Sequence, residues 1–436
     1  MKLSRPSALA GSASLACLVA VGAAAGVALS SVAAAPAYAA AGGLDPTFGT
    51  GGVAITSSNY MGTDLPSDVI IQPNGQIAVV VGLTDPATDG DFGIVRYQAN
   101  GALDTSFGTR GEARASFTNF INTPNDAALQ PDGKIVVVGN AESADGTLSE
   151  FALARFNANG TLDSSFGTGG KVTTNFVGVH PGGPFNPATA VLIQPNGDIL
   201  VGGSALVQAK TPTLTALARY LPSGALDTSF GTGGTVAVNA IGPVSALAEN
   251  AAGDIFAVRG NSAIEFSPAG VLQPQVTPTP ITVVSTGGTG NTAFQPNGSY
   301  VVGQAGAGFS RHDVDAQVVR NLPTGAVDPS FANPPFDFAA ENTVASDTIQ
   351  ALAVEPSGQV VVTGLHSAVG SSALGLARLD GNGALDTGFA TGGVETSLAG
   401  QGSAIAVQPN GDIVVAGELF RPGVPISLIV ERFLGQ

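Results

Sequence analysis

The chain has 436 residues, including 60 glycines and 28 prolines; only 11% of its residues are charged, and the formal net charge is −16. An apolar fraction of 44% argues against a disordered chain. The acidity argues against nucleic acid and anionic membrane surfaces, which select basic patches. Because Cys17 is the only cysteine, a disulfide-stapled core is excluded.

The first 39 residues have the pattern of an export signal. Lys2 and Arg5 precede an apolar run from Leu9 to Ala35, and Ala37-Tyr38-Ala39 has the small residues of a cleavage site. We therefore expect residues 1–39 to be a signal peptide and the mature protein to be secreted or held at the cell surface. A retained membrane anchor is the alternative, since the apolar run is long enough to span a bilayer.

The rest of the chain is built from repeats. The stretch ARFNANGTLDSSFGTGG at 154–170 recurs with small changes at 95–111, 218–234, 319–335 and 377–393. A QPNG-like turn occurs seven times and begins at Gln72, Gln130, Gln194, Asn250, Gln295, Glu355 and Gln408. Self-similarity of this kind indicates a repeat architecture.

Each repeat reads as four short strands, which predicts an all-β, seven-bladed β-propeller in residues 40–436. A β-solenoid is the alternative, but its repeats are usually shorter. The N-terminal segment supplies only a fourth strand, Val53–Thr56, and the C-terminal segment supplies only the first three strands of a unit. We therefore expect Val53–Thr56 to pair with Ser427–Phe433 in one blade and close the ring.

The G-x-LD-x-x-FG and QPNG-x-I-x-VxG patterns resemble the bacterial delta-60 repeat family over residues 44–436, with the weakest match in the fourth repeat. The resemblance implies an exported, propeller-like protein. The family brings no established activity and no catalytic residues to carry over.

An arginine and an aspartate stand eight residues apart in five repeats: Arg96 and Asp104, Arg155 and Asp163, Arg219 and Asp227, Arg320 and Asp328, and Arg378 and Asp386. Glu265 and Gln273 replace both in the fourth repeat, which predicts that the two side chains contact each other, because a lone half-buried charge is costly. We interpret them as structural ion pairs; a ring of ligand-binding arginines is the alternative. Ring closure would then pair Arg432 with Asp45. A phenylalanine three residues after each aspartate is predicted to be a core plug between blades.

Insertions fall in the connections on one face of the predicted propeller, and per-repeat insertions on one face usually mark a binding face. His180, His312 and His366 lie in these connections, with acids that include Asp91, Asp313 and Asp315. We expect the loop acids to be solvated. Asp68, Asp126 and Asn291 share a first-strand position and are expected either to line the channel mouth or to cap strand starts. The candidate ligand-binding residues are therefore Asp68, Asp126, Asn291, His180, His312, Asp313, Asp315 and His366.

His312-Asp313-Val314-Asp315 has donors compatible with a divalent cation, although a solvated turn is the alternative. No other cofactor is expected, and no nucleophile elbow, phosphate loop or zinc motif occurs. The sequence therefore predicts a monomeric, exported propeller that binds an unknown extracellular ligand or protein through its acidic, loop-bearing face. The alternative is an extracellular glycan-active hydrolase or lyase, metal-assisted, at the channel mouth.

Overall fold

The computed structural model describes most of the repeat region. The described ranges are 40–57, 66–84, 90–117, 120–143, 149–176, 187–206, 213–274, 283–288, 290–306, 314–332, 334–339, 345–368, 370–398, 400–420 and 427–436. The expected signal peptide, residues 1–39, lies outside them. Within these ranges no helix is long and apolar enough to cross a membrane.

The regular structure of the described ranges is made of β-strands. In chain order they are β1 (Val53–Thr56), β2 (Asp68–Ile71), β3 (Ile77–Leu83), β4 (Asp91–Tyr97), β5 (Glu112–Ala115), β6 (Phe120–Leu129), β7 (Ile135–Ser143), β8 (Ser149–Phe156), β9 (Lys171–Thr174), β10 (Ala188–Ile193), β11 (Ile199–Ala205), β12 (Leu214–Tyr220), β13 (Thr235–Val238), β14 (Ala246–Asn250), β15 (Ile255–Arg259), β16 (Ser262–Phe266), β17 (Val283–Gly288), β18 (Thr292–Phe294), β19 (Tyr300–Ala305), β20 (Ala316–Asn321), β21 (Ala345–Val354), β22 (Val360–Ala368), β23 (Ser371–Leu379), β24 (Val394–Thr396), β25 (Gly400–Val407), β26 (Ile413–Leu419) and β27 (Ser427–Phe433).

These strands form seven antiparallel sheets, one for each repeat, and the predicted seven-bladed propeller is confirmed. Blades one to seven begin with β2, β6, β10, β14, β18, β21 and β25 respectively. In blade one, β2, β3, β4 and β5 are neighbours in that order, and blades two, three and six repeat the arrangement.

The unbroken apolar second strands explain how the blades hold together. Every residue of β3 is buried, because a second strand has a neighbouring blade on both faces. Ile70 and Ala78 of blade one share a core cluster with Ile135 and Val137 of blade two. The hydrophobic core is therefore a set of layers between adjacent blades.

The N- and C-terminal segments complete one blade together. β1 pairs with β27 in antiparallel register, from Val53 opposite Glu431 to Thr56 opposite Leu428. Gly42 N also donates to Leu434 O at 2.7 Å. The predicted closure of the ring is confirmed, and it leaves no free sheet edge between blades seven and one.

Blades four and five depart from the predicted pattern. In blade four the described strand order is β16-β15-β14-β17, so the last strand lies beside the first strand and not beside the third. Blade five has three described strands, β18, β19 and β20. The expectation of an outer fourth strand is thus wrong for the described part of repeat four. There, PQVTPTP replaces the TSFGTGG turn, and proline lacks the N–H that the turn would use.

One glycine in the repeat motif has a clear steric reason. Gly160 has a φ of +87°, and a Cβ there would lie 2.6 Å from Gly108 N and 2.9 Å from the Phe107 ring. Only glycine allows the turn of blade two to pack against the phenylalanine of blade one. Phe107 is fully buried at this contact.

Candidate functional site

A central cavity of about 400 Å³ lies between the first strands of the blades. Most residues of its described wall have apolar side chains, such as Val69, Leu129 and Phe294, but polar atoms make up the larger part of the surface that faces the cavity. Asp68 and Asp126 are the two charged residues in that wall, and no lysine or arginine contributes to its described part. The structure thus places two of the sequence-selected residues in one cavity.

The backbone explains the position of each carboxyl. Asp68 is the first residue of β2, at the end of the strand nearer the loop-bearing face. In β6, the register with β7 shifts between Pro124 and Asp126, which marks a β-bulge at Asn125. Such bulges redirect the side chains that follow them.

Both carboxyls accept backbone hydrogen bonds. Asp68 Oδ1 accepts from Val69 N at 2.7 Å. Asp126 Oδ1 accepts from Ala127 N at 2.8 Å, and its Oδ2 accepts from Val191 N of blade three at 2.7 Å. Asp126 therefore ties two first strands together while its carboxyl borders the cavity.

The electrostatics of this pair favour the protonated form. Burial raises the pKa of Asp68, and hydrogen bonds from Val69 and Ala127 oppose that effect only in part. Burial, and then the charge of Asp68, raise the pKa of Asp126 well above its usual range. Near neutral pH the two carboxyls therefore retain a proton, because Asp126 is buried and lies close to the partly buried Asp68.

Asn291 does not join this pair. Its Nδ2 donates to Gly303 O at 2.7 Å, which ties the start of blade five to its second strand. The neighbouring Thr292, and not Asn291, contributes to the described cavity wall. A polar side chain at the shared first-strand position thus has different surroundings in blade five.

His366 lies elsewhere, in the second strand of blade six. Its Nδ1 is 2.7 Å from Asp347 Oδ1, and both residues are buried. Burial raises the pKa of Asp347, although His366 and Phe338 N oppose the shift. Asp347 was missed at the sequence level, because its pairing with His366 depends on a register shift between Ile349 and Ala351. No sequence feature marks that shift.

Asp315 is fully buried and lies near the same junction of blades five and six. Its neighbour Val314 accepts a hydrogen bond from Asp347 N at 2.7 Å. Asp91 is also buried, with Arg114 Nη1 3.8 Å from its Oδ2. The expectation that Asp91 and Asp315 are solvated loop charges is therefore wrong, because Asp91 begins β4, Asp315 directly precedes β20, and both residues are buried.

His180, His312 and Asp313 lie outside the described residues. Across the described ranges, no group of three or more histidine, cysteine, aspartate or glutamate side chains is arranged to hold a metal ion. The cation site expected at His312-Asp313-Val314-Asp315 thus stays a prediction.

The six Arg–Asp pairs are in contact. The arginine Nε lies 2.7–2.9 Å from the aspartate Oδ2 in every pair, and the guanidinium carbon lies 4.2–4.8 Å from the centre of the phenylalanine ring in the same motif. Arg432 reaches Asp45 in this way across 387 positions of the sequence. We call each set of arginine, aspartate and phenylalanine a clamp.

Each clamp also joins two blades, which the sequence did not reveal. Arg155 Nη1 donates to Pro222 O in the turn of the next blade, and Arg432 Nη1 donates to Ala99 O of blade one. Burial alone would raise the pKa of Asp163, but hydrogen bonds from Ser165 and the charge of Arg155 hold it below its usual range. These contacts use the guanidinium groups internally, which supports a structural role.

Comparison with known families finds one model that matches four of the repeats. A model described as "Domain of unknown function (DUF5122) beta-propeller" matches residues 72–107, 130–166, 194–230 and 355–389. The matches support a β-propeller repeat family and do not establish the delta-60 repeat name. A search of curated proteins finds no match.

The solved structures found by comparison differ greatly from this chain in sequence. A protein of unknown function from Dyadobacter fermentans is 11% identical, with a TM-score of 0.47, and the match covers 88% of this chain and 98% of that one. The α-L-arabinofuranosidase Arb93A from Fusarium graminearum is 11% identical, with a TM-score of 0.43 and coverages of 87% and 96%. The gluconolactonase XC5397 from Xanthomonas campestris is 12% identical, with a TM-score of 0.36 and coverages of 90% and 98%.

Proposed function

We propose that the protein is an exported binding module that takes a cationic ligand with an apolar body into its central cavity. The observation that supports this proposal is the pair Asp68 and Asp126 in a wall whose other described side chains are mostly apolar and include no basic residue. A ligand ammonium group would supply the missing positive charge, and an alkyl or aryl body would cover the apolar wall. Pockets that combine apolar walls with a few convergent polar groups are the usual form of a ligand site.

The loop-bearing face would provide the entrance. Asp68 starts its strand at that face. The net charge of −16 would attract a cation over long distances at low ionic strength. Export remains part of the proposal, and a mature protein recovered from the culture medium or cell surface with Ala40 as its first residue would support it.

Binding is favoured over hydrolysis by the separation of the polar groups. An enzyme needs an acid, a base or a metal converging on one point. Among the described residues, His366 and Asp347 lie in blade six and are not part of the described cavity wall, whereas Asp68 and Asp126 are. The glycan-active alternative therefore has no converging set of described side chains to support it.

Calorimetry with hexylamine as the probe tests the proposal. We expect the wild-type protein to bind hexylamine and to bind the uncharged isostere 1-hexanol at least tenfold more weakly. Asp68→Asn with Asp126→Asn should abolish the preference for the amine. The matched control is Asp132→Asn, which changes a QPDG turn on the opposite face into the QPNG of other repeats. Equal binding of amine and alcohol, or unchanged amine binding by the double variant, would contradict the proposal.

A further inference from the structure

The fourth repeat has an acidic residue at a position where the six other repeats have an apolar one. Glu249 directly precedes the NAAG turn, and the corresponding residues are Ile71, Leu129, Ile193, Phe294, Val354 and Val407. Only 6% of Glu249 is exposed, near the end of β14 on the face that bears the QPNG-like turns. Buried carboxylates are paired or bind metals, because a lone buried charge is costly. The position of Glu249 therefore requires a partner.

The side chain of Glu249 reaches blade three. Its Oε1 accepts a hydrogen bond from Gln194 Nε2 at 3.1 Å. Gln194 begins the QPNGD turn, and its backbone N donates to Asp198 O at 2.9 Å across that turn. Gln194 and Asp198 are only 5% and 9% exposed. We call these three residues the acid–amide cluster, which lies between blades three and four.

Two oxygen atoms of the acid–amide cluster lack a hydrogen-bond donor. Glu249 Oε2 and Gln194 Oε1 are buried, and neither has a partner among the described residues. The unpaired glutamine oxygen recurs at the same turn position in other repeats, at Gln72, Gln130, Gln295 and Gln408. The carboxylate that precedes the turn of the next blade is present in repeat four alone. An unpaired buried carboxylate costs more free energy than an unpaired amide, so a bound group is expected here.

The charges around the cluster favour a divalent cation. Burial raises the pKa of Glu249, although the hydrogen bond from Gln194 opposes this shift. The charge of Arg219 also opposes the shift, and the negative charge of Asp198 adds to it. Arg219 is already paired, with its Nη2 2.7 Å from Asp227 Oδ2. When both carboxyls of the cluster are ionised, their two negative charges match one divalent cation.

The donor atoms favour calcium among the divalent cations. The cluster offers carboxylate and amide oxygens, whereas zinc and copper prefer nitrogen and sulfur ligands. Calcium takes about six to eight oxygens in flexible geometry, including waters and backbone carbonyls, and magnesium requires a near-ideal octahedron. The cluster has two acids and an amide, so it is smaller than a group of three or more acidic, histidine or cysteine side chains, which the described ranges lack. Rotation of the Gln194 amide would turn its oxygen toward the ion.

We propose that Glu249, Asp198 and Gln194 bind one calcium ion between blades three and four. The ion satisfies Glu249 Oε2 and balances the charge of the two carboxylates. It joins the turn of blade three to the first strand of blade four, so calcium stabilises the folded protein. None of the three residues belongs to the described wall of the central cavity, and the site does not depend on the proposed binding function.

Blade seven provides a matched control within the chain. Its turn has the same QPNGD sequence as that of blade three. Asp412 Oδ2 accepts from the turn asparagine at 2.7 Å, as Asp198 Oδ2 does in blade three. The next blade supplies Ile71 at the position of Glu249. The two turns thus differ in whether a carboxylate from the following blade faces them.

Calorimetric titration of the metal-free protein with CaCl2 tests the site, in about 0.15 M NaCl to screen the net charge. We expect about one calcium ion per chain with a Kd below about 1 mM, and binding of MgCl2 that is weaker by about tenfold or more. Glu249→Gln and Asp198→Asn should each weaken calcium binding by about tenfold or more. Asp412→Asn, and Asp68→Asn with Asp126→Asn, should leave it unchanged. Unchanged binding by Glu249→Gln, or an equal loss in Asp412→Asn, would overturn the proposal.

Adding the carboxylate to blade one tests the site in the opposite direction. Ile71→Glu places an acid beside the QPNGD turn of blade seven, and we expect the stoichiometry to rise from about one to about two calcium ions per chain. Thermal unfolding keeps the test decisive if this variant does not fold. The melting temperature of the wild type should rise with CaCl2, and that of Glu249→Gln should not. A melting temperature of the wild type that is independent of calcium would show that no such site forms.

Discussion

At the residue scale, the clamp explains why arginine recurs where lysine would also carry the charge. Arg155 pairs with Asp163, lies over the Phe166 ring with its guanidinium carbon 4.5 Å from the ring centre, and donates to Pro222 O. A guanidinium can satisfy all three because it is planar and has several N–H donors, whereas an ammonium group cannot. We expect Arg155→Lys to lower the free energy of unfolding by about 1–2 kcal/mol, from the lost charge-assisted hydrogen bond. Urea unfolding at equilibrium would measure it, with the exposed Arg259→Lys as the control.

The clamp between the two ends of the chain gives a second prediction. The side chains of Arg432 and Asp45 are only 11% and 7% exposed. Removing either side chain leaves the other charge with much of its desolvation cost. The stability losses of the two single variants should therefore add up to more than the loss of the double variant. A double-mutant cycle on Arg432→Met and Asp45→Asn should give a coupling energy of at least about 1 kcal/mol.

The same cycle on Arg155 and Asp163 is the matched control, because that clamp lies within a single repeat. The two coupling energies should agree within about 0.5 kcal/mol. A coupling near zero for Arg432 and Asp45 alone would mean that the terminal clamp does not form in solution.

A buried acid in the closing blade predicts the pH dependence of stability. Glu431 is fully buried, and burial raises its pKa to about 7. The unfolded chain releases the same proton at a pKa of about 4.3. The folded state therefore binds the proton more tightly, so this residue contributes a stability that is present below about pH 4 and is lost as the pH rises through 7.

Glu431→Gln removes this dependence. Between pH 5 and pH 8, we expect the wild-type protein to lose about 2–3 kcal/mol more stability than the variant. Urea unfolding at both pH values would measure the difference, with the partly exposed Glu112→Gln as the control. Parallel stability curves for the wild type and Glu431→Gln would show that the carboxyl is not held in its buried, protonated form.

At the scale of the elements, the first and last strands depend on each other. Deleting residues 40–56 removes β1 and its clamp residue Asp45, and leaves the outer edge of β27 unpaired. We expect this variant to aggregate and to melt at a lower temperature, because an unpaired edge strand pairs with other chains. Light scattering and thermal unfolding would measure both effects.

A circular permutant separates the loss of the strand from the loss of closure. It joins Gln436 to Ala40 by a short glycine-serine linker and opens the chain after Ser57, so β1 stays present beside β27. It should remain monomeric with a melting temperature close to that of the wild type. A deletion variant that behaves like the permutant would show that β1 is dispensable.

The same scale shows what the sequence could predict. The turn spacing and the unbroken apolar second strands were sufficient to predict seven blades, and the partial repeats at the two ends were sufficient to predict closure, because all of these are local patterns that repeat. The pairing of β17 with β14 in blade four was not predictable in the same way, since the choice of partner for this strand is a tertiary one. The partnership of His366 with Asp347 depends on a bulge at Gln350 that no residue type demands.

At the scale of the whole molecule, the ring brings Asp68 and Asp126 together from different repeats. Sequence comparison of the repeats selected both, because most other repeats have alanine at that position. It did not distinguish them from Asn291, whose side chain donates a hydrogen bond to Gly303 O. The apolar wall and the raised pKa values of the pair belong to the assembled ring, and no single repeat contains them.

Proton release on ligand binding tests the proposed site most directly. A bound ammonium group favours the ionised carboxylates, so the proton that Asp68 and Asp126 retain must leave when the ligand enters. Calorimetry at pH 7 in buffers of different ionisation enthalpy would count the protons released per hexylamine. We predict about one proton released per ligand for the wild type and for Asp132→Asn. Below the pKa of the pair, hexylamine binding should tighten by up to tenfold for each unit by which the pH rises. Hexylamine binding without proton release would contradict a cation site at these two carboxyls.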